Sequence, residues 1–123
     1  MNRDLRNRWV EALRSGTYKQ GKHRLKRVGQ FPLDRNYCCL GVLCEVAGLE
    51  FEEDPYESLF NSKRSEYFFL KEEAGEARCS SFLPDAFRKE IGIGYLDQEK
   101  LVRMNDEENC SFEDIANWVE ENL

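Results

Sequence analysis

The sequence predicts a small α+β domain, with four to five helices and a short antiparallel hairpin or small sheet, formed by residues 1–123 as one unit. Apolar residues recur at helical spacing in the first and last segments. Between residues 16 and 36, glycines and polar runs cut the chain into pieces too short for ordinary helices. The aromatic run Tyr67-Phe68-Phe69-Leu70 has the composition of a strand. A chain of 123 residues can bury one core and is too short for two of ordinary size.

From Arg3 to Ser15, Leu5, Trp9, Ala12 and Leu13 share one helical face, and Gly16 stands where a left-handed residue would end the helix. Residues 17–31 read as a loop and hairpin, with turns at Gly21 and Gly29. Tyr37 to Gly48 carries a single charge, Glu45, and reads as a buried central helix. Gly41 inside it costs about 1 kcal/mol relative to alanine, which implies a packing reason. Residues 49–80 are less regular: an acidic Glu50–Asp54 run, Pro55, and a polar turn over Asn61-Ser62-Lys63-Arg64-Ser65 precede the aromatic run, with which a strand near Phe51 could pair. Pro84 opens a short helix that Gly92 closes, and a second short helix is expected from Asp97 to Met104. Ser111-Phe112-Glu113-Asp114 resembles a capping box, after which Phe112, Ile115, Ala116, Val119 and Leu123 share a face.

The net charge of −6 hides a strong asymmetry: residues 1–36 hold ten Lys/Arg against three Asp/Glu, and the remainder holds eight against twenty-one. Generic nucleic acid and anionic membrane are repelled at long range, so an anionic ligand would be met locally by the basic part. Met1-Asn2-Arg3-Asp4 is followed by no apolar run of secretory or membrane-spanning type, and the expected location is the cytosol. The cysteines at 38, 39, 44, 79 and 110 are odd in number and three fall within seven residues, so they read as reduced thiols packed in the core.

Several stretches together resemble a family of small uncharacterised proteins of tailed bacteriophages and prophages. These are Trp9-Val10-Glu11-Ala12-Leu13-Arg14-Ser15-Gly16-Thr17-Tyr18-Lys19-Gln20, Tyr37-Cys38-Cys39-Leu40-Gly41-Val42-Leu43-Cys44, Leu83-Pro84, Met104-Asn105-Asp106 and Ser111-Phe112-Glu113-Asp114-Ile115-Ala116. The resemblance leaves residues 50–80 uncovered. It implies no reaction, cofactor or catalytic residue, but it does imply a setting, the cytosol of a phage-infected bacterium, where small accessory proteins disable host molecules.

No metal or cofactor is expected, because Cys38, Cys39 and Cys44 lack the paired knuckle spacing of a zinc site. The chain also lacks a P-loop, a dinucleotide glycine fingerprint, a Gly-x-Ser-x-Gly elbow and a calcium-loop register, so the reading is non-enzymatic. His23 is the only imidazole that could activate a cysteine nucleophile, which leaves a cysteine-dependent enzyme as one alternative. The remaining constellation is Arg14, Tyr18, Lys19, Gln20, Lys22, His23, Arg24, Lys26 and Arg27. It combines forked guanidinium donors, ammonium charges, an amide and an aromatic ring, a set suited to a phosphate and a base.

The expected function is therefore capture of a phosphorylated small molecule, such as a host nucleotide signal, to counteract host defence. A homo-oligomer whose interface closes over the ligand would enlarge the site. A second alternative is an acidic protein-interaction module that inhibits a host protein through residues such as Glu50, Glu52, Glu53 and Asp54.

Overall fold

A computed structural model describes residues 1–28, 35–53, 68–70 and 81–123 of the chain. Among these residues the order is α1 (Arg3–Arg14), β1 (Lys19–Gln20), β2 (Lys26–Val28), β3 (Arg35–Tyr37), α2 (Cys39–Val46), β4 (Phe51–Glu53), β5 (Phe68–Leu70), α3 (Asp85–Ile91), α4 (Tyr95–Asp106) and α5 (Phe112–Asn122). This is a small α+β domain with a mixed three-stranded sheet and a two-stranded one.

Helix α1 forms where the spacing predicts it. The Asn2 side chain accepts from the Leu5 amide at 3.0 Å, and Gly16 adopts φ +76° just beyond the last turn. Its buried face, Leu5, Trp9, Val10 and Leu13, packs against α5 and α2. The Trp9 indole is fully enclosed and donates to the Cys39 carbonyl at 2.9 Å. Helix α5 contributes Phe112, Ile115, Ala116 and Val119, and its capping box is complete: Ser111 Oγ accepts from the Asp114 amide at 3.1 Å, and the Asp114 carboxylate accepts from the Ser111 amide at 3.0 Å.

The stretch expected as one buried helix divides at its start. Arg35–Tyr37 is the strand β3, and the helix runs only from Cys39 to Val46, with six consecutive buried residues, Cys39 to Cys44. Gly41 carries the packing reason that its helical position implied. A Cβ there would lie 1.7 Å from the Leu25 carbonyl oxygen, so α2 rests directly on the backbone leading into β2.

The early segment also differs from a simple hairpin. Strand β3 lies between β1 and β2, parallel to the first and antiparallel to the second, so the two strands joined by residues 21–25 do not pair with each other. A strand at Phe51 does pair with the aromatic run: β4 runs antiparallel to β5, with Phe51 opposite Leu70. The expected turns at Gly29 and over residues 61–65, and Tyr67 itself, lie outside the described residues.

Helix α3 ends at Gly92 with φ +81°. Helix α4 starts two residues earlier than expected, at Tyr95, and ends two later, at Asp106, where its last residues enter the site described next. None of the helices described is long and apolar enough to cross a membrane.

Candidate functional site

The three-stranded sheet sorts the basic residues by parity, because side chains alternate faces along a strand and directly paired residues share a face. Tyr37 is paired with Gln20 on one side and Lys26 on the other; Asn36 is paired with Lys19 and Arg27. The first row faces the core and the second faces away from it.

On the core face Tyr37 is buried, and its ring meets Tyr18 edge-on at 5.2 Å. Its hydroxyl donates to Glu45 Oε1 at 3.3 Å, and the Lys26 ammonium lies 3.1 Å from the same oxygen. Burial, then the Glu45 charge, raises the Tyr37 phenol well above its ordinary value. Lys26 also lies 5.5 Å from the Tyr37 ring centroid and 5.1 Å from that of Phe51, so this cation is committed to a carboxylate and two rings.

On the other face Lys19 is exposed, while Asn36 and Arg27 are half-buried. With strands spaced by about 4.8 Å, Lys19 and Arg27 stand about 10 Å apart across the middle strand. The Asn36 Oδ1 atom is buried and has no hydrogen-bond partner among the described residues. Gly21 follows Lys19 on this face and continues the ladder by donating to the Tyr37 carbonyl at 2.7 Å; a Cβ there would lie 2.8 Å from Asn36 Cβ. Lys19, Arg24, Arg27 and Arg35 all have interactions within the chain.

The turn from Gln20 to Leu25 is held against the junction of α4 and α5. Gln20 Nε2 donates to Asn105 Oδ1 at 3.0 Å and to the Cys110 carbonyl at 2.8 Å. Asn105 is almost wholly buried, and its amide donates to the Gly21 carbonyl and to Asp106 Oδ1, both at 2.8 Å. The same Asn105 oxygen accepts from the Cys39 amide at 3.2 Å, satisfying a buried donor at the start of α2, where Cys38 supplies no side-chain cap. Lys22 donates to Asn109 Oδ1 at 2.7 Å. A pocket of about 290 Å³ opens beside these groups, lined by Gln20, Lys22, Asn105, Asn109, Cys110 and Ser111.

The nine residues singled out from the sequence are thus distributed rather than gathered. Arg14 lies in the seam between α1 and α5, donating to Asn117 at 2.6 Å and paired with Glu113 at 3.5 Å and with Glu120. Tyr18 and Lys26 belong to the core face. Gln20, Lys22 and His23 meet the α4–α5 junction, while Arg24 donates to Ser81 at 3.3 Å. Lys19 and Arg27 share the outer face with Asn36, which sequence reading passed over because nothing local marked Arg35–Tyr37 as the middle strand.

The thiols sit elsewhere. Cys38, Cys39 and Cys44 are buried, and Cys110 is half-buried. Burial raises the Cys38 thiol from 9.0 to about 12 and raises Cys39 in the same direction. His23 Nδ1 lies 3.7 Å from an Asp106 carboxylate oxygen, so its neighbour is an acid. Among the described residues no group of three or more His, Cys, Asp or Glu is arranged to hold a metal ion; Cys79 lies outside them.

No curated protein and no solved structure matches this chain. A family model does match, over the whole of residues 1–123: the chain belongs to the family described as a domain of unknown function, DUF8296.

Proposed function

We propose that this protein binds a phosphorylated small molecule on the outer face of its three-stranded sheet, with Lys19 and Arg27 meeting the phosphate and Asn36 meeting a donor group of the same ligand. The observation that carries the reading is the buried Asn36 Oδ1 without a hydrogen-bond partner among the described residues, set between two cations by the strand register. A buried acceptor of this kind calls for a donor, and two flanking cations call for an anion. A nucleotide supplies both, a phosphate and the N–H groups of a base. The anion adds to, or exchanges with, the interactions that Lys19 and Arg27 make within the chain. In the cytosolic phage setting implied by the resemblance, such binding withdraws a host signal without any chemistry.

The cysteine-enzyme reading has less support, because burial raises the Cys38 and Cys39 thiols and the imidazole faces Asp106. For the acidic-module reading, Glu50 is the only one of the four acids whose side chain is described, and it is engaged within the chain.

Titration calorimetry against inorganic phosphate, pyrophosphate, mononucleotides and cyclic dinucleotides tests the proposal. At least one nucleotide should bind, and the double variant K19A/R27A should bind it about a hundredfold more weakly, the equivalent of two modest charge-assisted hydrogen bonds. R14A, which alters only the α1–α5 seam, serves as the control and should bind like the wild type. Absence of heat for every probe, or undiminished binding by K19A/R27A, overturns the proposal.

A further inference from the structure

The turn joining β1 to β2 is held from outside at its least comfortable residue. His23 has φ +71°, a left-handed conformation that a residue with a Cβ rarely adopts. Both of its peptide groups are bound by side chains distant in sequence: its amide donates to Asp106 Oδ1 at 2.9 Å, and its carbonyl accepts from Ser81 Oγ at 2.7 Å. Asp106 is the last residue of α4, is largely enclosed, and is itself oriented by the Asn105 amide.

This clamp matters for the sheet because β1 has only two residues and is not paired with β2. The position of Lys19 relative to Arg27 therefore depends on the pairing of two short strands with β3 and on the path of the five-residue turn between them. A left-handed non-glycine residue persists only where its surroundings hold it, and here the holding groups are Asp106 and Ser81.

We infer that Asp106 is a positioning residue for the anion-binding face, fixing the β1–β2 turn so that Lys19 and Arg27 address one ligand. The inference rests on the reading of that face as a phosphate site. Asp106 touches no ligand; it acts through the His23 amide.

The test uses whichever nucleotide the wild type binds, with affinity measured by calorimetry and fold by circular dichroism. D106A should bind about tenfold more weakly, the equivalent of one charge-assisted hydrogen bond. D106N keeps an oxygen for the His23 amide and should restore near wild-type affinity. In a K19A background, D106A should add less than its full factor, because the two changes act on the same contact. Hydrogen exchange at the His23 amide should quicken in D106A and stay slow in D106N.

Wild-type affinity in D106A, or the same loss with and without Lys19, overturns the inference while leaving the phosphate site standing. Failure of the wild type to bind any probe removes the site itself. Should D106A fail to fold, S81A releases the other end of the same residue, and unchanged nucleotide affinity in S81A overturns the inference equally.

Discussion

Gly41→Ala tests the packing of α2 on the backbone before β2. On helix propensity alone the change should stabilise the chain by about 1 kcal/mol. In the fold, the added Cβ would lie 1.7 Å from the Leu25 carbonyl oxygen, 2.6 Å from its carbon and 3.1 Å from its Cα. Ordinary contact begins near 3.4 Å, so helix and strand must part by about 1.7 Å. The obstacle is backbone, and no rotamer change relieves it. Parting them strains the hydrogen bond from the Cys38 amide to the Leu25 carbonyl, 3.3 Å long, and loosens a Leu25 side chain that is fully buried.

Overpacking at about 3 kcal/mol plus a lost bond at about 1 kcal/mol outweighs the propensity gain and leaves a net loss of about 3 kcal/mol. With a urea slope of about 1.5 kcal/mol per molar, the unfolding midpoint should fall by about 2 M. Tryptophan fluorescence provides the assay, since Trp9 is fully enclosed and reports opening of the core. Gly16→Ala is the comparison: a Cβ there meets nothing within 4 Å, and only its φ of +76° opposes the change, at about 1 kcal/mol. A midpoint for G41A equal to or above that of the wild type would refute the close-approach argument.

Two further outcomes are expected. Because Cys38 titrates near 9.0 when unfolded and near 12 when folded, the unfolded chain holds fewer protons between those values. Stability should therefore fall as pH rises above 9, by about 1.4 kcal/mol per pH unit from this thiol, with Cys39 acting in the same direction. Urea midpoints at pH 8, 9 and 10 check it; C38A should show a shallower decline, and an equal decline in C38A would count against a protonated core thiol. Ser111→Ala removes the oxygen that accepts from the Asp114 amide and should cost about 1 kcal/mol of thermal or urea stability, whereas S111D should recover most of it.

The readable parts of this fold are those governed by residues three or four apart. The apolar face of α1, the left-handed glycines at 16 and 92, and the reciprocal bonds of Ser111 and Asp114 each depend on near neighbours, so their signals lie next to one another in the chain. Gly41 was legible as an anomaly, because a glycine in a buried helix needs a reason. The reason, the Leu25 carbonyl, lies sixteen residues away and could not be read locally.

The candidate site was less legible for the same physical cause. Short strands of two or three residues show no alternation, so β3 escaped notice and with it the pairing of Asn36 with Lys19 and Arg27. The basic run itself was visible, but the partners that disperse it come from distant segments: Asn117 and Glu113 for Arg14, Glu45 for Lys26, Asn109 for Lys22 and Asp106 for the His23 backbone.

By itself, then, the sequence determined where α1, α3 and α5 form, the glycines at 16 and 92 and the Ser111 capping box that bound them, the charge asymmetry and the fold class, because hydrophobic spacing and capping are short-range. Tertiary structure alone decided which cations share a face, which are consumed by carboxylates and why Asn105 is buried. Those outcomes depend on hydrogen bonds and register between residues far apart in the chain, and only chain closure brings such residues together.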